Sequence, residues 1–242
     1  MATGAIHKAE ALLRWKHPVR GLVSPVEFIP IAEESGAIIE IGNWVLQESA
    51  RQVVRWRATH DPDFAISVNK SPVQFLNDSS NGNDWLVFAA DLGLPRHSIV
   101  IEITEGILLE ANTLVDSKLI NFRNAGLQVA LDDFGTGYSS LSYLKKFDID
   151  YLKIDQRFVR NLGHSAKDLA LCEAIVVMAH KLGLKVIAEG VETHQQQDLL
   201  LAAGCDYAQG YFYSRPVSAA EFEKLLVSGQ PGSRQATRSL PS

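Results

Sequence analysis

Apolar residues in this chain gather into short runs that end in polar side chains, and between those runs lie longer stretches with apolar positions at helical spacing. The sharpest run is Val129-Ala130-Leu131, a buried strand by its composition, which ends in two adjacent acids, Asp132 and Asp133. Gly135 and Gly137 follow, so Phe134 to Gly137 reads as a tight loop beside the acids. Ala9 to Trp15 predicts a strand with Glu10 inside it and Arg14 near its end. Ser24-Pro25-Val26-Glu27 has the pattern of a capping box with proline at the first helical position, and the helix it opens stops near Gly36. Ile41, Val45, Leu46 and Val53 mark a longer helix from Ile38 to Ala58, whose charged face of Glu48, Arg51, Arg55 and Arg57 is solvated.

Phe64 to Val68 is the next strand, closed by Asn69. A short helical turn from Pro72 to Leu76, a polar loop to Asn83 and a helix from Asp84 to Asp91 follow it. Ile99 to Glu105 is a strand interrupted by Glu102, and a helix from Asn112 to Asn124 leads back to the central run. Beyond the acid pair come a short helix from Tyr138 to Lys146, a strand from Tyr151 to Asp155 with Lys153 inside it, and an amphipathic helix from Asp168 to Leu182. Lys185 to Ala188 is a strand that runs into Glu189-Gly190-Val191-Glu192, and Thr193 caps the helix to Ala203. A short strand around Tyr207 carries Gln209-Gly210, and Ser218 caps a last helix through Val227. The tail from Ser228 to Ser242, rich in Gly, Pro, Ser and Arg, reads as disordered.

Strand then helix, with gaps sized for parallel crossovers, predicts an α/β fold, and about seven strands predict a TIM-like (β/α)8 barrel. The strand needed for closure would precede Met1, because Thr3-Gly4 resembles a turn leading into the Glu10 strand. In such a barrel functional side chains collect at the C-terminal strand ends. Asn69, Glu102, Asp132, Asp133, Glu189 and Gln209 end predicted strands, while Glu10 and Lys153 sit within theirs. A doubly wound sheet is the competing arrangement, and no glycine-rich phosphate loop favours it.

Composition narrows the chemistry. The 242 residues are 46% hydrophobic and carry a formal net charge of −5, which argues against a broad electrostatic grip on DNA. Cys172 and Cys205 are the two cysteines and show no disulfide framework, which fits a reducing cytoplasm. No run reaches the roughly 18 apolar residues of a membrane span, and no secretory signal opens the chain. Adjacent carboxylates repel unless a cation sits with them, and oxygen donors without a Cys or His cluster point to Mg2+ or Mn2+ in a two-metal phosphoryl-transfer site. Lys153, inside an apolar strand, must snorkel or find an anion. His7, His17 and His180 show no ligand spacing.

Glu10-Ala11-Leu12-Leu13-Arg14-Trp15, Glu102-Ile103-Thr104-Glu105, the segment from Asp132 to Leu141, Lys153-Ile154-Asp155, Ala188-Glu189-Gly190-Val191-Glu192 and Gln209-Gly210-Tyr211 together resemble the EAL domain, a family of bacterial phosphodiesterases for cyclic di-GMP. The resemblance runs from Gly4 to Leu226, so the domain is taken as residues 1–227 and the tail as 228–242. It implies hydrolysis of cyclic di-GMP to linear 5′-pGpG. It also implies one metal held by Glu10, Asn69, Glu102 and Asp132, and a second held by Asp132, Asp133 and Glu189. Lys153 resembles the residue that orients or deprotonates the attacking water, and Glu105 the anchor of the loop from Asp132 to Ser140. Glu192 and Gln209 resemble water-orienting groups, and Leu12, Arg14 and Asp155 substrate contacts. A homodimer, and sensor or GGDEF domains in a longer parent protein, are further implications. The chain departs from the family in starting after its Tyr-Gln-Pro-like first strand and the preceding helix, and in carrying Lys70 where an apolar residue is usual. Two alternatives are a non-catalytic cyclic di-GMP receptor or interaction module, and a barrel hydrolase for another phosphodiester.

Overall fold

The computed structural model describes residues 1, 4–77, 83–109, 113–135, 144 and 146–228. The chain divides into two compact units, His7–Leu152 and Met1–Ile6 with Lys153–Ser242. The first begins with β1 (Lys8–Ala11), the hairpin strands β2 (Trp15–His17) and β3 (Gly21–Val23), and the helices α1 (Pro25–Glu34) and α2 (Ile38–Thr59). Next come β4 (Ala65–Asn69), α3 (Pro72–Asn77), α4 (Asn83–Asp91), β5 (Ile99–Thr104), α5 (Glu105–Leu109), α6 (Thr113–Asn124) and β6 (Gln128–Phe134). β7 (Tyr151–Ile154) runs across the division.

Strands β1, β4, β5 and β6 lie side by side in that order and all run parallel. Their register aligns Val68 with Ile101 and Ile101 with Val129, all three buried. Parallel strands covered on both faces need such continuous apolar runs, which is why the short runs were legible as strands. One step beyond the first of these pairs the register aligns Asn69 with Glu102, and three steps beyond the second it aligns Thr104 with Asp132. The polar strand ends are therefore neighbours as a consequence of the core register.

Helix α2 buries Leu46, Ala50, Val53 and Trp56, a stripe at helical spacing. Arg57 departs from the solvated face expected of it. Its side chain is 9% exposed, and its guanidinium donates to the Ser98 hydroxyl. Position 57 lies one turn after Val53, on the edge of the buried stripe. The single strand expected from Ala9 to Trp15 is broken: β1 ends at Ala11, and Trp15 opens an antiparallel hairpin in which it pairs with Val23. The Trp15 ring meets Phe28 of α1 edge-on with centroids 5.8 Å apart, and Arg20 bonds Glu27 at 2.5 Å. That ion pair occupies the glutamate expected to complete a capping box, and Ser24 makes no side-chain cap. His17 Nδ1 accepts the backbone N–H groups of Val19 and Arg20, so it closes the hairpin turn.

The second unit continues from β7 into α7 (Gln156–Val159), α8 (Ala166–Lys181), β8 (Lys185–Ala188), α9 (His194–Ala202), β9 (Tyr207–Ala208) and α10 (Ala219–Ser228). β8 pairs in parallel with β9, and the Glu189 N–H donates to the carbonyl of Ile154. Thr193 and Gln196 form a complete capping box at α9. Cys172 and Cys205 are buried free thiols, and burial together with neighbouring acids pushes both up to about 12. The short helices α5 and α7 are additions to the expected elements. The helix expected from Tyr138 to Lys146, the turn at Thr3-Gly4, the loop from Asn77 to Asn83 and the tail beyond Ser228 lie wholly or largely outside the described residues. No helix among the described residues is long and apolar enough to cross a membrane.

Candidate active site

In the first unit the candidate ligands sit on four neighbouring strands. Glu10 stands on β1 and accepts a hydrogen bond from Asn69 Nδ2 at the end of β4, 2.7 Å from Glu10 Oε1. That donation commits the amide nitrogen, so the Asn69 carbonyl oxygen is the atom left to face a cation. Glu102 on β5 is 2% exposed, and its backbone carbonyl accepts the Lys70 N–H at 2.9 Å. Burying a carboxylate is expensive without compensating charge or donors. Lys70, the departure from the family pattern, is itself 4% exposed.

The acid pair lies within β6 instead of just beyond it, because the strand continues to Phe134. Asp133 N–H donates to Asp132 Oδ1 at 2.9 Å, and Asp133 takes a φ of 55°, in the left-handed region. Aspartate tolerates that conformation better than most residues, and the twist lets consecutive carboxylates share one side of the strand end. Each offers an oxygen within 4.8 Å of the other. The donor set of this unit, four carboxylates and one amide carbonyl, is made of hard oxygens and fits Mg2+ or Mn2+.

Glu105 opens α5 with a side chain whose two oxygens are buried and have no hydrogen-bond partner among the described residues. Leu12 and Arg14 lie in the exposed link between β1 and β2, and the Arg14 guanidinium rests on the carbonyl of Leu13 at 2.8 Å.

In the second unit the buried lysine has found its anion. Lys153 is 1% exposed and its Nζ lies 2.6 Å from Glu189 Oε1, an oxygen that also accepts from Gln209 Nε2 at 2.9 Å. Three sequence-distant strand ends thus converge on one oxygen. Asp155, 5% exposed, caps α7 by accepting from the Arg157 N–H at 2.7 Å and from its guanidinium at 2.8 Å. Glu192 is exposed, with its backbone N–H tied to Gln196 Oε1 at 2.7 Å. Gly210, with φ 151°, lies flat against Val191, where an added Cβ would stand 2.2 Å from the Val191 carbonyl oxygen. The Val191 N–H donates to the Gln209 carbonyl at 3.0 Å, so the two motif segments are laced together through backbone.

Ser71 and Glu33 escaped the sequence reading, although Ser71-Pro72-Val73-Gln74 has capping-box spacing. The Ser71 hydroxyl donates to Glu33 Oε1 at 2.6 Å, two residues after Asn69.

Parallel strands ending in acids and alternating with helices define a TIM-like (β/α) barrel domain with carboxylates at its strand ends. The particular assignment follows from comparison. The EAL domain family matches residues 1–216, and the chain belongs to it. The bifunctional diguanylate cyclase/cyclic di-GMP phosphodiesterase MucR of Pseudomonas aeruginosa is 40% identical over 233 residues, covering 93% of this chain and 32% of that protein. The cyclic di-GMP phosphodiesterase PdeR of Escherichia coli is 40% identical over 227 residues, covering 91% of this chain and 33% of that protein. The solved structure of the P. aeruginosa MucR phosphodiesterase in complex with c-di-GMP matches with a TM-score of 0.84 at 38% identity, covering 89% of this chain and 87% of that one. The chain spans roughly a third of the length of the curated relatives it matches.

Proposed function

We propose that this chain is a metal-dependent phosphodiesterase domain that opens cyclic di-GMP to linear 5′-pGpG. The observation that carries the reading is the Lys153–Glu189–Gln209 hydrogen-bonded set, present in a chain that also holds every acid of the family pattern. Glu10, Asn69, Glu102 and Asp132 would hold one divalent ion, and Asp132, Asp133 and Glu189 a second. When bound, such ions neutralise phosphodiester charge and make a bound water a stronger nucleophile near neutral pH.

The chain's own residues do the positioning. Lys153 Nζ orients the attacking water, and Glu189 fixes the ammonium by the 2.6 Å contact. Gln209 keeps Glu189 Oε1 turned toward the lysine. Water delivers its oxygen and one proton to phosphorus as the P–O3′ bond breaks, and its other proton ends on O3′, so the product keeps a 5′-phosphate. Arg14, Leu12 and Asp155 contact the substrate, and Glu192 orients water. Glu105 anchors the segment from Asp132 to Ser140, of which residues 136–140 lie outside the described residues. A buried carboxylate with no donor among the described residues supports that role, since it demands a partner.

The same reading makes the domain cytoplasmic and homodimeric, within a longer signalling protein carrying sensor or GGDEF domains. The test is chromatography of cyclic di-GMP incubated with the purified chain, with Mg2+ or Mn2+ and with chelator. Metal-dependent pGpG is the expected result. Folded protein that binds the nucleotide without turning it over would replace the enzyme by a receptor.

A further inference from the structure

The polar network behind Asn69 points to a role for a residue on another helix. Ser71 is the N-cap of α3: its hydroxyl accepts the Val73 N–H at 3.1 Å, and its own N–H donates to Gln74 Oε1 at 3.3 Å. The Phe75 N–H donates to the Ser71 carbonyl at 2.9 Å, the first turn of the helix. The hydroxyl proton is spent on Glu33 Oε1 of α1 at 2.6 Å, a charge-assisted bond. Gln74 is 3% exposed and fills the space over Gly42 of α2, where a Cβ would stand 1.8 Å from its Nε2. Helices α1 and α2 therefore grip the turn from two sides, one through a carboxylate and the other through a glycine.

Upstream of the grip, the Lys70 N–H donates to the Glu102 carbonyl and the Asn69 amide donates to Glu10. The five residues from Asn69 to Val73 have their backbone direction set at both ends, so a shift at Ser71 passes to Asn69 over two peptide units.

We propose that Glu33 is a positioning residue for the candidate metal ligand Asn69. It locks the Ser71 hydroxyl, and Ser71 fixes the turn that aims the Asn69 carbonyl oxygen. The inference rests on the metal-dependent reading of the site. Groups that orient metal ligands by hydrogen bonds change metal affinity or activity by roughly 10- to 100-fold when lost.

The test compares Glu33→Ala, Glu33→Gln and Ser71→Ala with the parent chain by hydrogen exchange of the metal-free protein and by Mn2+ titration read from the free-ion EPR signal. Expected are faster exchange across residues 69–75 and roughly tenfold weaker Mn2+ binding in Glu33→Ala and Ser71→Ala. Glu33→Gln, which retains an acceptor oxygen, restores both readouts and covers the case in which an alanine variant does not fold. Unchanged exchange in folded Glu33→Ala, or faster exchange with undiminished Mn2+ affinity, overturns the proposal. A Glu33→Gln protein as impaired as the alanine variants overturns it too. A parent chain that binds no Mn2+ overturns instead the metal-dependent reading beneath it.

Discussion

The two units hold their charged groups in opposite ways. In His7–Leu152 four carboxylates and an amide stand on neighbouring strand ends, placed by the same register that aligns Val68, Ile101 and Val129 in the core. In the unit that holds Lys153, a cation and an anion meet directly, and an amide holds the anion from its other side. The first arrangement offers oxygens to an incoming cation, whereas the second is neutral by itself and defines one hydrogen-bonding direction. The contrast teaches that a row of like-charged strand ends and an internally paired set are two local devices, each with its own folding cause.

The sharpest break of that comparison is Asp132→Ala or Glu10→Ala. Either should lower cyclic di-GMP turnover by about 10³-fold or more and weaken Mn2+ binding, because several kcal/mol of charge stabilisation go with a lost ligand. Turnover near the parent level in either variant would remove the ligand assignment. Lys153→Met should lower kcat by roughly 10²- to 10⁴-fold while Mn2+ binding persists. If Mn2+ binding vanished with the lysine, the two devices would not be separable. Gln209→Ala frees one side of Glu189 and should lower kcat by about tenfold, with little change in KM. A rise in KM alone would make Gln209 a substrate contact.

The smallest effect separates core from site. Burial holds the thiols of Cys172 and Cys205 near 12, so the native protein should resist a disulfide reagent at pH 8 and react only on denaturation. Because the folded thiols keep their protons above the ordinary thiol value, their contribution to stability is present below that value and is lost as pH rises toward about 12. Rapid native labelling at pH 8 would place one of them at the surface.

Much of this was legible in the sequence because the signals are local. An apolar strand containing Lys153 demanded an anion, and the chain supplies Glu189 at the end of the next strand. Thr193 and the breakpoint at Gly36 follow from capping chemistry alone. What stayed hidden was either very short or long-range. Helices α5 and α7 have too few residues to show a period, and Leu12 and Leu13 bridge β1 and the Trp15 hairpin in hydrophobicity, which hides the break between them. The Asn69–Glu10 bond spans 59 residues, and Glu33 reaches Ser71 across 38, distances at which spacing carries no information.

Gly210 gives this site a constraint that no functional group explains. Its α-carbon faces the Val191 backbone, in the stretch between Glu189 and Glu192. Any side chain there would wedge apart two segments that must move as one, so saturation mutagenesis should find position 210 as intolerant as a residue that touches substrate. Fitness maps of this domain would then flag a contact surface where there is only a missing methyl group, and a designer grafting the site onto another scaffold would have to carry the void along with the side chains.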